Sequence, residues 1–399
     1  MILYVAAHGG PARESVPLGG GAAIFDRLVA EWTRTNVEFR RIVPSIEGRE
    51  LVRFSEREYA RFCRSSEKTA TDEILRHDPA TTVVLSNDVS EGPDFERLAA
   101  RGFRVYTIYH VDVVAYVSAI YLHGWIAPET TVRWHRRLRW ALPAITNLVW
   151  EKQAASVHCS SGLIVPSEGM RDVLVRCYPG CAEKIHVLPW GICDAGPPVS
   201  ADPLRAEYGI PPDARVLLTL SRISPEKGQD LLLEALLEWD PPLWLFICGA
   251  PAYMQGERFL AKLQRLASRF RNTRVIFPGH VTGDRKRAFF SLADLYVFPS
   301  RHESYGLTLL EALAAGLPAV CLDTVGARSV MRPEFGALVQ KSGLRPAIER
   351  LLSTDRIPMS TAARAFAQTQ QFSQRAADLA SLLRPSASSA SLRDSSITP

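Results

Sequence analysis

Residues 295–320 read as a strand, a loop and a helix in immediate succession. Residues 295–299 (LYVFP) form a short apolar run of strand length. Residues 307–315 are a run of helix formers, and Gly316 and Pro318 stop it. Glu303 and Glu311 stand eight positions apart, with Gly306 between them. Glu303 therefore falls on the strand-to-helix loop and Glu311 about one turn into the helix. The start of that helix presents free backbone N–H groups and the positive end of its dipole, which suits phosphate. Two carboxylates beside it suit sugar hydroxyls. The spacing alone also fits two solvated charges, because Glu is common at helix starts.

A second loop of the same kind favours the binding reading. The apolar run 216–220 leads into Ser221-Arg222-Ile223-Ser224-Pro225-Glu226-Lys227-Gly228, and a helical pattern follows (Leu231, Leu232, Ala235, Leu236). Arg222 and Lys227 thus share a strand-to-helix loop. Arg offers phosphate a planar fork, and Lys a point charge. A loop with two cations and a helix start with two carboxylates are complementary halves of one nucleotide-sugar site.

The same alternation runs through the chain. Strand-like runs at 2–6, 82–86, 103–109, 162–166 and 185–189 alternate with helical patterns in the first half. Runs at 215–220, 243–248, 274–277, 295–298 and 318–322 do so in the second. Apolar runs without strict alternation, separated by helices, indicate parallel sheets covered on both faces. The expected class is α/β, with two Rossmann-like doubly wound domains facing across a cleft. Residues 1–193 would form the first and 204–370 the second, with the Gly/Pro/Ser-rich piece 191–203 as hinge. The helical pattern at 372–384 would complete the first domain, and the Ser-rich 385–399 reads as a disordered tail. In open α/β sheets, ligands bind beyond the carboxyl ends of the strands. The donor is thus expected mainly on the second domain and the acceptor on the first.

RISPEKG (222–228), FPGHV (277–281) and HESYGLTLLEALAAGLPAV (302–320), with LGGGAA (18–23), VPSEGM (165–170) and EKIHVLPWGI (183–192), carry a resemblance. The chain resembles the retaining glycosyltransferases of the GT-B fold, in the family-4 type (glycosyl transferases group 1). The resemblance implies transfer of a hexosyl group from a UDP-, GDP- or ADP-linked sugar to a carbohydrate or lipid-linked acceptor. It assigns Arg222 and Lys227 to the diphosphate and the departing charge, Glu311 to ribose hydroxyls, and Glu303 to the transferred sugar. The backbone of Tyr305, Gly306, Leu307 and Thr308 would hold sugar or phosphate oxygens, and Gly279, His280 and Val281 would line the base pocket. Gly19, Gly20 and Gly21 would let backbone approach the phosphates, opening a helix from Ala22. His110, after the run 105–109, would reach the donor sugar. His8, Asn87, Asp88 and Glu91 follow other strand-like runs and are candidates for the acceptor pocket, with turn chemistry as the competing reading of the last three. The family transfers sugar with retention. No metal or other cofactor is expected, since Arg222, Lys227 and a helix start supply positive charge; no two Asp stand two positions apart. One departure lies at 325–330 (VGARSV), where the family often has Gly-Gly and then an acidic residue, so the sugar is not named.

The remaining features bound this reading. A net charge of +5 and a pI near 8.8 favour anionic ligands or surfaces without implying nucleic acid. Seven cysteines without a C-x-x-C pair suit reduced thiols in a cytoplasm. The opening ILYVAA, followed by Gly-Gly-Pro, reads as a core strand and not as a signal sequence. Residues 113–127 are too short and too interrupted to span a membrane, so a buried helix is expected there. Residues 133–140 (RWHRRLRW) hold four Arg and two Trp, with Arg133, Arg136, Arg137 and Trp140 close to one helical face. A solvated basic face, a peripheral membrane contact near a lipid-linked acceptor, and an anionic soluble acceptor all fit. No recognised nucleic-acid module accompanies the patch. A phosphorylase, a nucleotide-sugar epimerase or a scaffold with a decayed site could share the architecture; the presence of Arg222, Lys227, Glu303 and Glu311 together disfavours the scaffold.

Overall fold

The structure is a computed structural model that describes residues 1–7, 20–43, 54–120, 125–142, 144–193, 196–252 and 256–384. His8, Gly19 and the tail 385–399 lie outside the described residues. Two six-stranded sheets account for the strands. The first holds β1 (Ile2–Val5), β2 (Phe39–Ile42), β3 (Val83–Ser86), β4 (Arg104–Ile108), β5 (Gly162–Val165) and β6 (Ile185–Val187), in the order β2-β1-β3-β4-β5-β6. The second holds β7 (Arg215–Leu220), β8 (Leu243–Cys248), β9 (Thr273–Gly279), β10 (Leu295–Phe298), β11 (Ala319–Leu322) and β12 (Gly336–Val339), in the order β12-β11-β10-β7-β8-β9. Every pairing is parallel. The expected α/β class with two doubly wound sheets is borne out.

The ten strand-like runs all became strands, and two further strands appeared. Both are edge strands. β2 (FRRI) puts two of its four residues in solvent, and β12 (GALV) is only partly covered. Neither therefore needs the unbroken apolar run that marks a central strand.

Strand order positions the site. In the first sheet the chain turns back between β1 and β3; in the second it turns back between β7 and β10. At such a switch point the loops after neighbouring strands part in opposite directions and leave a crevice. The loops after β7 and β10 carry Arg222, Lys227 and Glu303; the segments after β1 and β3 lead to Gly20 and Asn87.

The terminal helix Phe372–Leu383 binds the two halves into one body. Phe372 donates its N–H to the carbonyl of Ile192, and Ile192 donates to that of Gln370. Trp32, on the helix Gly20–Arg34, donates its indole N–H to the carbonyl of Ala376 at 3.0 Å. One apolar cluster consequently runs from Tyr4, Phe25 and Trp32, through Trp190, Ile192 and Leu379, to Tyr296 and Phe298. All seven cysteines are free thiols, and only Cys193 is exposed. Among the described residues, no helix is long and apolar enough to cross a membrane.

Candidate functional site

The cationic loop is held by its own acids. Pro225–Lys227 form a single 3₁₀ turn, and Gly228 closes it with φ at +65°. A side chain there is excluded twice, by that backbone angle and by the Pro299 carbonyl, which would lie 1.9 Å from a Cβ. The turn thus presses against the end of β10. Arg301 completes the clamp with one guanidinium nitrogen 2.6 Å from the Pro225 carbonyl and a fork on Asp230 at 2.7 and 3.1 Å. Lys262 adds a contact to Asp230 at 2.6 Å. Burial pushes the Asp230 carboxyl up, but Arg301 and Lys262 outweigh it and hold the carboxyl below its ordinary range.

At the mouth of this loop Lys227 Nζ lies 2.6 Å from Glu303 Oε2, and both side chains are mostly buried. Burial again raises the carboxyl, but Lys227 first and then Arg222 outweigh it, so Glu303 stays an anion. Arg222 reaches Glu226 at 3.7 Å. His302 is held neutral by burial, with its pKa brought down to about 4. Its ring meets Tyr116 of the first domain edge to face at 5.5 Å.

The helix Leu307–Ala314 follows, with Gly306 as its N-cap and no side chain capping its N–H groups. Glu311 sits one turn in. Its Oε1 accepts from Arg27 Nη2 at 2.9 Å, and its Oε2 from Lys286 Nζ at 3.1 Å. Thr308 Oγ1 accepts from Tyr296 at 3.0 Å. Tyr305 is buried, and Gly326 donates its N–H to the Glu303 carbonyl. The divergent residues thus open a short helix, Val325–Val330, packed directly behind Glu303 to Tyr305. Gly279 ends β9, with His280 exposed and Val281 buried next to it. Burial, and then the charge of Lys286, keep His280 neutral.

Besides Arg27, the first domain supplies neutral groups around His110. Its helix begins at Gly20, two residues ahead of the expected Ala22. A Cβ on Gly20 would lie 3.7 Å from Leu307 Cδ1, so the N-terminal ends of the two helices stand side by side. A Cβ on Gly21 would lie 2.9 Å from the His110 ring, which only glycine accommodates without displacement. His110 stacks on Trp190 at 6.0 Å, and its Nε2 lies 3.1 Å from Asn87 Oδ1. That oxygen also accepts from Tyr4 at 2.8 Å, while Asn87 Nδ2 donates to the Gly21 carbonyl at 3.3 Å. Gly21 fixes which way the Asn87 amide faces. His110 must then carry its proton on Nε2.

The sequence-derived candidates therefore fall into groups. Arg222, Lys227, Glu303, Tyr305, Gly306, Leu307, Thr308 and Glu311 gather at one end of the second sheet, and Gly20, Gly21 and His110 face them. Asn87 is fully buried beneath His110, and Asp88 accepts from the Ala7 N–H. Glu91 is buried and accepts from Tyr59 on the helix Glu56–Ile74. Reading the chain for loops missed Arg27, Lys286, Arg301 and Asp230. Arg27 stands seven residues after Gly20, on the same helical face, which is the one signal that could have found it.

A separate surface feature lies on the first domain. Trp125 is 89% exposed, Trp134 48% and Trp140 82%. On the helix Pro128–Leu138, Thr131 and Val132 are buried, whereas Arg133, Trp134 and Arg137 are exposed, and Arg139 and Trp140 continue the exposed strip. The side chain of Arg136 is not among those described.

Residues 200–368 match the family described as Glycosyl transferases group 1. The chain is 30% identical over 257 residues to D-inositol 3-phosphate glycosyltransferase 2 of Catenulispora acidiphila, covering 56% of this chain and 59% of that protein. It is 30% identical over 234 residues to the D-inositol 3-phosphate glycosyltransferase of Mycolicibacterium smegmatis, covering 53% of each. The chain spans little more than half the length of these relatives. Among solved structures it resembles sucrose-phosphate synthase from Thermosynechococcus elongatus, with a TM-score of 0.73 at 17% identity over 96% of this chain and 97% of that one. It also resembles WaaG, a glycosyltransferase involved in lipopolysaccharide biosynthesis (0.69, 18%, 97% and 100%), and Anabaena Alr3699/HepE in complex with UDP-glucose (0.66, 16%, 96% and 99%). These likenesses establish the two-domain GT-B fold.

Proposed function

We propose that this chain, whose residues 200–368 match the group 1 glycosyl transferases, is a member of that family and a retaining hexosyltransferase that uses a nucleotide-diphosphate sugar without a metal ion. The observation that carries the reading is the meeting of two helix N-termini, at Gly20 and Leu307, beside Arg222, Lys227, Glu303 and Glu311. Helix N-terminal N–H groups and two cations suit a diphosphate, and flanking carboxylates suit hydroxyls. Arg222 and Lys227 stabilise the charge that develops as the bond from the anomeric carbon to the phosphate oxygen breaks. The acceptor oxygen forms the new bond on the same face, and its proton passes to the departing diphosphate. Glu303 holds hydroxyls of the transferred sugar, Glu311 holds the ribose, and His110 meets the sugar from the first domain.

The acceptor is a hydroxyl on a sugar-like or lipid-linked molecule, and the place of action is the cytoplasmic side of a membrane. The exposed tryptophans with Arg133, Arg137 and Arg139 support the second point, since indole rings seat at the headgroup level and arginines attract anionic lipid. Flotation with vesicles containing phosphatidylserine tests it: wild type should float at low salt, and W125A/W140A should not.

Thermal-shift titration with UDP, GDP, ADP and their common sugar conjugates, with and without EDTA, tests the donor reading. One nucleotide series should stabilise the protein, unchanged by EDTA. NMR of the product of the stabilising donor should show the anomeric configuration preserved. Turnover of the nucleotide sugar without any acceptor would favour an epimerase instead.

A further inference from the structure

The ion pair between Arg27 and Glu311 joins residues 284 positions apart and crosses from one domain to the other. Glu311 is held twice, by Arg27 from the first domain and by Lys286 from the second. Two cations on one carboxylate leave an excess positive charge beside the paired helix N-termini. Among the described residues, Arg27 Nη1 is buried and has no hydrogen-bond partner. A guanidinium N–H withdrawn from water without an acceptor is costly, and a ligand that supplies the acceptor removes the cost.

Position argues what that ligand is. Gly20 and Arg27 are two turns apart on one helix face, as Leu307 and Glu311 are one turn apart on the other. Gly20 lies against Leu307, and Arg27 lies against Glu311. A diphosphate seated on the paired helix starts therefore points its nucleoside along the two helices, toward Glu311 and Arg27. Glu311 offers only acceptors, and Arg27 offers only donors.

We propose that Arg27 is a nucleotide contact supplied by the first domain: Nη2 orients Glu311 for the ribose, and Nη1 donates to an oxygen of the bound nucleoside diphosphate. This rests on the donor-site reading above. Nucleotide occupancy is then sensed by both domains at once, through a cross-domain pair that is already closed at 2.9 Å.

The test compares R27K and R27A with wild type by calorimetric titration of UDP, GDP and ADP, with the thermal midpoint of each ligand-free protein as control. Lysine can keep the ion pair with Glu311 but has no second nitrogen to donate. The expected result is a ligand-free midpoint for R27K within about 1 °C of wild type, with the preferred nucleotide bound roughly tenfold more weakly. R27A should lose both midpoint and affinity. If wild type binds a nucleotide and both variants bind it within about twofold, Arg27 only ties the domains together and the proposal falls alone. If wild type binds none of the three, the donor-site reading falls, and Arg27 has no nucleotide to meet.

Discussion

The two domains face each other with opposite electrostatics. In the second, carboxyls with clearly moved pKa values (Glu207, Asp230, Glu303 and Asp323) are pulled down, each by a cation in contact. In the first, two described carboxyls, Asp26 and Asp112, are pushed up by burial. Asp112 caps the helix Val113–Ile120 from a fully buried position. Around His110 the first domain offers the neutral groups of Asn87 and Tyr4, with the Asp88 carboxylate 3.4 Å from Asn87 Nδ2 and Arg27 further along the helix. On the proposed reading, charge that must develop and leave would be met by pre-set ions, and a sugar that only has to be oriented by neutral hydrogen bonds of fixed direction.

The contrast breaks first, and most visibly, at Lys227. Replacement by Ala should lower kcat/KM by roughly 10²–10³, since it removes a cation from the leaving group and strands Glu303; Glu303→Ala should fall in the same range. Full transfer by both variants in steady-state assays would remove the site from this loop.

Asp230→Ala comes next. It leaves Arg301 without its fork and frees the 225–228 turn, at a cost of about 2–3 kcal/mol, discounted for the partial exposure of Arg301. Chemical denaturation of the second domain reads this directly, and an unchanged midpoint would show that the clamp is ornamental.

A smaller effect sharpens the neutral side. Asn87→Leu should let the His110 imidazole exchange between tautomers and reduce transfer about tenfold. Asn87→Asp should instead raise the His110 pKa and move the acid limb of the rate profile upward. Nitrogen NMR of His110, assigned through His110→Gln, separates a positioning effect from loss of fold; an unaltered ring signal in both Asn87 variants would refute the assignment.

The least of these effects is the response to acid. Asp230 and Glu303 have folded pKa values below their unfolded ones. Their contribution is complete above the unfolded values, about 3.9 and 4.3, and declines as pH falls toward the lower folded values. Asp112 has the opposite sign: its folded pKa is raised, so its penalty on the folded state shrinks as pH falls through that value. Between about pH 5 and pH 3 the second domain should weaken more than the first. Hydrogen exchange followed domain by domain would show it, and equal loss in both would contradict the contrast.

What the sequence determined by itself was local and repeated. Ten apolar runs gave ten strands, eight of them central, where a parallel strand must be apolar on both faces whichever neighbours it acquires. The loops 221–228 and 299–306 were legible because strand end, loop residue and helix start lie within a few positions, and local sequence alone sets that geometry. The edge strands β2 (FRRI) and β12 (GALV) escaped, since neither carries an unbroken run of large apolar residues, whereas the edge strands β6 and β9 were marked by the strand-like runs 185–189 and 274–277. Tertiary structure alone decided the partners. Arg27 meets Glu311, Asn87 meets His110, and Arg301 meets Asp230 only because strand order sets those loops and helices side by side. The same decision tied Glu91 to Tyr59 and buried Asn87 beneath His110. Directional pairing of this kind depends on distances of a few ångströms between segments far apart in the chain, and no periodicity or composition encodes those distances.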